Sequence, residues 1–233
     1  MPFLYMIPVT LGECDIDTVI PSAQHDIIMS LSYFIVENIR TARRFLKKTD
    51  RSIDINQLHF FELNQHTDKK GIGSFLKPIS EGNSIGLMSE AGCPGVADPG
   101  SDIVRIAHKQ KIRVIPMVGP SSIILAMMAS GMNGQNFAFN GYLPAKKDGK
   151  STKINQLENR IYSEDQSQLF IEAPYRNIQL LNDLLTYAGN QTRLCIACDI
   201  TLPTEFIRTK TIEEWKKSIP DIQKRPTLFI LGK

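Results

Sequence analysis

The sequence predicts an α/β protein of two domains, and three observations carry that expectation. Apolar bursts of strand length alternate with amphipathic stretches of helical spacing, and the alternation starts afresh midway along the chain. The densest glycine and proline turn chemistry also lies directly behind one apolar strand, where an open α/β sheet usually holds a ligand.

In the first half, strands are expected at Phe3 to Val9, Tyr33 to Glu37, His59 to Leu63, Ser84 to Met88 and Arg113 to Met117. Helices are expected between them at Ala23 to Ser30, Arg40 to Lys48, Gly73 to Glu81 and Ser101 to Lys109. Such alternation predicts a mainly parallel sheet covered by helices. The second half reads as a helix at Ser121 to Ser130, strands at Asn136 to Asn140 and Gln168 to Glu172, and a helix at Arg176 to Ala188. Strands at Arg193 to Ile200, Glu205 to Thr209 and Thr227 to Leu231 follow. Residues 1–117 and 118–233 are therefore expected as two α/β domains, hinged at Val118-Gly119-Pro120, where glycine frees the backbone and proline stops the strand. The one long polar break, Ala145 to Thr152, is expected as an exposed loop.

Composition narrows the class. A chain of 233 residues with 42% hydrophobic and 22% charged side chains can bury one large core or two small ones. Its net charge of +3 is too small to define a nucleic-acid coat, so charge placement has to decide. The apolar start, Met1 to Val9, lacks a basic leader and reads as a first strand, and no apolar window reaches spanning length. Four cysteines suit a reducing, cytoplasmic setting. Cys195 and Cys198 form one C-x-x-C, but within a strand the two positions face opposite ways, so no metal site is expected. His25, His59, His66 and His108 show no ligand or triad spacing.

Two segments could bear chemistry. The first, Ser89-Glu90-Ala91-Gly92-Cys93-Pro94-Gly95-Val96-Ala97-Asp98-Pro99-Gly100, follows the strand Ile85 to Met88; small residues admit a ligand close to the backbone, and prolines fix the loop shape in advance. An ordinary tight connection has the same residues. The second, Gly119-Pro120-Ser121-Ser122, opens a helix and leaves amides free for a ligand, although simple capping also explains it. Neither G-x-G-x-x-G nor a P-loop is present, and Gly71-Ile72-Gly73 lacks the third glycine.

In order along the chain, these pieces resemble the 16S ribosomal RNA cytidine 2'-O-methyltransferase family of the tetrapyrrole methylase superfamily. The run Leu4-Tyr5-Met6-Ile7-Pro8-Val9-Thr10-Leu11-Gly12 is similar to that family's first strand and loop, and Val36-Glu37-Asn38-Ile39-Arg40 with Arg43 to its second strand end and helix. Ser89 to Gly100 resembles its S-D-A-G-T-P loop and closing D-P-G. Gly119-Pro120-Ser121-Ser122, Ala129-Ser130-Gly131 and Gly141-Tyr142-Leu143-Pro144 follow in register, and Glu172-Ala173-Pro174-Tyr175-Arg176 resembles E-S-P-H-R. The resemblance implies the class III methyltransferase fold, with S-adenosylmethionine in a cleft between two α/β domains of a homodimer. It implies cofactor contacts from Gly12, Gly92, Pro94, Gly95, Val96, Asp98, Ser121, Ser122, Glu172 and Ala173. The sequence departs from the family at Glu90, Cys93, Tyr175 and Asn38, and Cys198-Asp199-Ile200-Thr201-Leu202 stands where R-E-L-T-K is usual, losing an arginine and a lysine while Thr201 and Glu205 remain.

A ribose hydroxyl of ribosomal RNA, free or in the small ribosomal subunit, is the acceptor this resemblance implies. Such a hydroxyl needs help to lose its proton. Glu37 or Glu172 is the expected base, and Arg40 or Arg176 the expected phosphate contact; surface ion pairing is the plain alternative for all four. Between Leu143 and Arg160, Lys146, Lys147, Lys150, Lys153 and Arg160 outnumber Asp148 and Glu158, a charge run that suits an RNA backbone grip or simply a solvated face. Two other functions fit the same resemblance: methylation of a small tetrapyrrole, and a non-catalytic RNA-binding relative that kept the fold.

Overall fold

The computed structural model describes residues 2–144 and 147–233. The chain divides into two compact units, Met1–Ser121 and Ser122–Lys233.

In the first unit, strands β1 (Leu4–Ile7), β2 (Tyr33–Val36), β3 (His59–Glu62), β4 (Ile85–Met88) and β5 (Val114–Pro116) form one sheet in the order β3-β2-β4-β1-β5. Every pair in it is parallel. Parallel strands buried on both faces read as continuous apolar runs, and Ile85-Gly86-Leu87-Met88 is buried at all four positions. Helices α1 (Ala23–Met29) and α2 (Ile39–Thr49) supply Ile28, Ala42, Phe45 and Leu46 to a cluster with Ile7, Phe34, Val36 and Met88. The alternate strand residues Leu4, Met6, Ile35, Ile85 and Leu87 pack with Ile103 and Ala107 of α4 (Gly100–Lys109). The stretch expected as one helix from Gly73 is a 3-10 turn, Ile72–Leu76, continued by the single α-turn α3 (Lys77–Ser80). Pro78 has no amide to sustain a longer hydrogen-bonded run through that position.

In the second unit, β6 (Phe137–Tyr142), β7 (Ser167–Ile171), β8 (Arg193–Cys198), β9 (Phe206–Thr211) and β10 (Thr227–Gly232) form a sheet in the order β6-β7-β10-β8-β9. Only β6 and β7 run parallel; the other three pairs are antiparallel. Strand β10 therefore enters the sheet at the end where β7 and β8 leave it. Helix α5 (Ser122–Ser130) packs on β8, β9 and β10, and Thr209 Oγ1 donates to the Ser130 carbonyl at 2.7 Å. Helices α6 (Lys147–Glu164), α7 (Asn177–Tyr187) and α8 (Ile212–Lys217) bury Ile154, Leu157, Ile161, Leu180, Leu184, Ile212 and Trp215 in one cluster.

Two expectations need correction. Within the polar break, residues 147–152 are the first turns of α6, while Ala145 and Lys146 lie outside the described residues. The buried stripe Ile154, Leu157 and Ile161 anchors that helix, and Lys150 Nζ donates to Asp183 Oδ2 at 2.8 Å with both side chains at most 9% exposed. Lys150 is thus an interior ion-pair partner and no part of a solvent-facing lysine run. The short α8 lies outside the expected helices, although Thr211-x-x-Glu214 is a capping box in which each side chain bonds the other residue's amide. The C-x-x-C is split between faces: Cys198 joins the cluster under α7 and α8, while Cys195 lies on the opposite face near Thr209. Burial raises both thiol pKa values, which keeps them protonated and unreactive. Among the described residues no helix is long and apolar enough to cross a membrane.

The Lys150–Asp183 pair can be tested directly. Lys150→Ala strands a buried carboxylate and should cost about 3–5 kcal/mol in urea unfolding, whereas the joint replacement Lys150→Met with Asp183→Leu should recover most of that loss. A single variant as stable as the parent chain would contradict the pairing.

Candidate active site

The topology of the first sheet decides where its loops meet. From β1 the chain crosses to one side of the sheet, and from β4 it crosses to the other, so the order reverses at the β1–β4 pair. Loops leaving the carboxyl ends of two such strands diverge and open a crevice. Ile7 and Met88 are paired at that edge. One step further, Val9 and Gly92 exchange amide hydrogen bonds of 3.0 and 3.2 Å, which ties the two loops together. Gly92 holds φ at +72°, a conformation side chains disfavour. Behind them, a Cβ on Gly119 would collide with the Pro8 ring, so only glycine lets that strand exit close against the first loop.

Asp98 sets the shape of the loop from Ser89 to Gly100. Its Oδ2 accepts the Gly95 amide at 2.7 Å and its Oδ1 the Gly100 amide at 2.6 Å, so the segment curls around one carboxylate. Burial raises the Asp98 pKa, with those amides pulling against the shift. Pro94 is buried inside the curl, whereas Val96, 51% exposed, and Ala97 form its apolar outer rim.

Glu37 follows β2 and accepts the Glu90 amide at 3.2 Å. Burial raises its pKa, and the charges of Asp98 and Glu90 add to the rise. The Glu90 carboxylate in turn accepts the Thr41 hydroxyl. Asn38 caps α2, its Oδ1 accepting the amides of Arg40 at 2.9 Å and Thr41 at 3.4 Å. Among the described residues, Glu37, Glu90 and Asp98 pair with no lysine or arginine. Three uncompensated carboxylates beside an apolar rim suit a ligand that brings its own positive charge on a flat, partly apolar body. S-adenosylmethionine, with a sulfonium, an ammonium and an adenine, has that chemistry.

Beside this cluster lies a cavity of about 420 Å³, within the range of small-molecule sites. Val9, Thr10, Leu11, Gly12 and Glu13 line one wall, Met88, Ser89 and Glu90 another, and Thr41, Ala42, Arg44, Phe45 and Lys48 of α2 the third. Gly12 is therefore a wall residue, as is Glu90. Arg40 is not; Arg44 and Lys48, one and two turns further along the helix, take that face. Sequence reasoning misses both, although their spacing from Thr41 places all three on one helical face.

In the second unit, Glu172 leaves β7 with its side chain 1% exposed; its Oε1 accepts the Ala173 amide at 2.8 Å and Arg176 Nη2 at 2.6 Å. Both partners engage the same oxygen. Arg176 also lies over the exposed Tyr175 ring, at 5.5 Å from its centroid. Ser122 begins α5, and Ser121 is the last residue of the first unit. The thiol of Cys93 donates to the Pro120 carbonyl at 3.4 Å. In the segment without the family's arginine and lysine, Asp199 and Thr201 hold positive φ, and the Thr201 amide donates to Glu205 at 2.8 Å. Arg225, from the approach to β10, donates to Asp199 at 2.9 Å, so a guanidinium reaches this turn from elsewhere in the sequence.

No family model matches the chain. Among curated proteins it is 33% identical over 175 residues to a "Ribosomal RNA small subunit methyltransferase I" of Haemophilus influenzae, covering 74% of this chain and 60% of that protein. Proteins of the same name from Vibrio cholerae, 28% identical over 91% of this chain and 70% of the relative, and from Escherichia coli O157:H7, 26% identical over 98% and 77%, are also similar. The chain thus spans between 60% and 77% of the length of these relatives. Among solved structures, the methyltransferase CobJ superposes with a TM-score of 0.66 at 13% identity, covering 100% of this chain and 95% of that one. A Thermus thermophilus uroporphyrin-III C-methyl transferase solved with S-adenosyl homocysteine gives 0.60 at 14% identity, over 99% and 97%. The chain therefore has the class III methyltransferase fold of these solved structures, and over most of its length it is similar in sequence to the relatives named ribosomal RNA small subunit methyltransferase I.

Proposed function

We propose that this chain is an S-adenosylmethionine-dependent methyltransferase that modifies ribosomal RNA of the small subunit at a ribose 2'-hydroxyl, with Glu37 as the general base. The names of the curated relatives support the RNA acceptor. The observation that carries the residue-level reading is Glu37 itself: a carboxylate with a raised pKa, beside a cavity that two cationic side chains of α2 line. A homodimer working in the cytoplasm belongs to the same proposal.

When bound, the cofactor supplies an electrophilic methyl group on a positively charged sulfur. Gly12, Gly92, Pro94, Gly95, Val96 and Asp98 are its proposed contacts in the first unit, and Ser121, Ser122, Glu172 and Ala173 complete the proposed set. Glu37 takes the hydroxyl proton on its carboxylate, and only its ionised form can do so. Its Oε1 is held by the Glu90 amide, which fixes the carboxylate plane. Glu172, whose Oε1 already accepts both Arg176 and the Ala173 amide, is the weaker base of the two glutamates. It serves better as a fixed acceptor. Arg176 then holds Glu172, and its proposed phosphate contact is secondary to that role.

Incubation with label-bearing S-adenosylmethionine and small ribosomal subunits lacking the modification, followed by digestion to nucleosides, should place the label on a 2'-O-methylated nucleoside. Label on a base would overturn the ribose assignment, and label only on an added porphyrinoid would overturn the RNA reading.

Glu37→Gln should separate stability from activity. The amide keeps an acceptor for Glu90 but carries no charge, so methyl transfer should fall by about 10²-fold or more. Because the folded state raises the Glu37 pKa, ionising it costs stability as pH rises through that pKa. The variant should therefore unfold at a higher temperature than the parent at neutral pH, and at the same temperature once pH falls below the ordinary carboxyl range. Equal stability at both pH values, or unimpaired transfer, would contradict the assignment.

A further inference from the structure

We infer, on the basis of the RNA reading, that Arg44 and Lys48 form a phosphate subsite for a nucleotide of the RNA strand, and that Glu13 occupies it in the free protein. Arg44 and Lys48 sit four residues apart on α2, so one turn of helix presents both charges to the same side, and both line the 420 Å³ cavity. Lys48 Nζ lies 3.1 Å from Glu13 Oε2. Among the described residues no carboxylate pairs with Arg44.

The Glu13 contact shows which ligand chemistry the cations accept. Its carboxylate, 96% exposed on the loop after β1, spans the cavity wall to reach Lys48. An exposed pair of this kind contributes little, so it can part without unfolding anything. A phosphate carries more charge and more acceptor oxygens than a carboxylate, and arginine can grip it with two donors. Charge and donor geometry both favour exchange of Glu13 for phosphate.

The remaining walls suit the rest of a nucleotide. Val9, Leu11, Phe45 and Met88 offer apolar surface for a base, and the Thr41–Glu90 pair and Ser89 offer polar groups for sugar hydroxyls. Glu90 is also the residue whose amide holds Glu37. A nucleotide with its phosphate at Arg44 and Lys48 would place its sugar near Glu90, the wall residue whose amide bonds the carboxylate proposed as base. With Glu13 displaced, the cations Arg44 and Lys48 on the helix wall and the acid Glu90 on another wall give the ligand a favoured orientation.

The test uses fluorescence anisotropy with a 12-nucleotide single-stranded RNA across a salt series, in the presence of S-adenosyl homocysteine. The double variant Arg44→Gln with Lys48→Gln should weaken binding about tenfold or more, and the salt slope should fall by roughly 0.7 for each phosphate that is no longer neutralised. Glu13→Gln should tighten binding severalfold, since it removes the internal competitor. Lys47→Gln, a neutralisation on the same helix at a residue that does not line the cavity, should change binding less than twofold. A double variant no weaker than Lys47→Gln, or a Glu13→Gln protein that binds RNA no better than the parent, would overturn the subsite. Calorimetric titration of S-adenosyl homocysteine into each variant confirms that the fold is intact. Methyl transfer by the parent chain to small subunits is measured alongside: if transfer occurs and the double variant binds RNA normally, the subsite fails and the RNA reading stands. If the parent transfers nothing to RNA and the variants still behave as stated, the RNA-methylating reading fails and the phosphate subsite stands.

Discussion

One carboxylate organises the first unit's functional edge. The two oxygens of Asp98 each hold one backbone amide, at Gly95 and Gly100, and the loop between β4 and α4 has its form because of that pair of bonds. The desolvation that raises the Asp98 pKa is the cost of placing it there. Without it, a segment with two glycines and a positive-φ alanine would sample many shapes. The Val9–Gly92 ladder and the tight Gly119–Pro8 approach then fix neighbouring segments relative to this loop.

Charge is sorted around that frame. Glu37, Glu90 and Asp98 gather at the strand ends, while Arg44 and Lys48 face the cavity from α2. Among the described residues Glu37 has no cation beside it in the free protein, and the burial that raises its pKa makes its ionised form costly to the fold. Under the proposed function the same acids favour a sulfonium ligand or accept a proton. Mismatched charge of this kind usually marks where a protein gives up stability for chemistry.

Much of the architecture is legible in the sequence because its signals are local. Strands β1 to β5 announce themselves as apolar runs, and the Gly-Pro segment marks the β4 loop before any fold is known. The loop expected at residues 147–152 fails because Lys147, Asp148, Gly149 and Lys150 look solvent-bound in isolation. Only the partner Asp183, 33 residues away, turns Lys150 into an interior group. The antiparallel pairing of β10 with β7 and β8 is equally hidden, since strand direction depends on where the chain returns and not on side-chain pattern. At the site, glycines and prolines point to the loop, but the grip of Asp98 on its own backbone does not show. Arg44 and Lys48 escape notice because a basic helix face reads as ordinary solvation until a cavity appears in front of it.

The role of Asp98 in building the loop proposed to hold the cofactor is open to one direct measurement: calorimetric titration of S-adenosyl homocysteine into Asp98→Asn beside the parent chain. The asparagine amide offers one acceptor where the carboxylate offered two, so one of the Gly95 and Gly100 amides is left without its partner. A dissociation constant at least about tenfold higher is expected, the equivalent of one charge-assisted hydrogen bond, in a protein that still unfolds cooperatively. Unchanged affinity would mean that the loop keeps its shape by other means, and would contradict the central place given to Asp98.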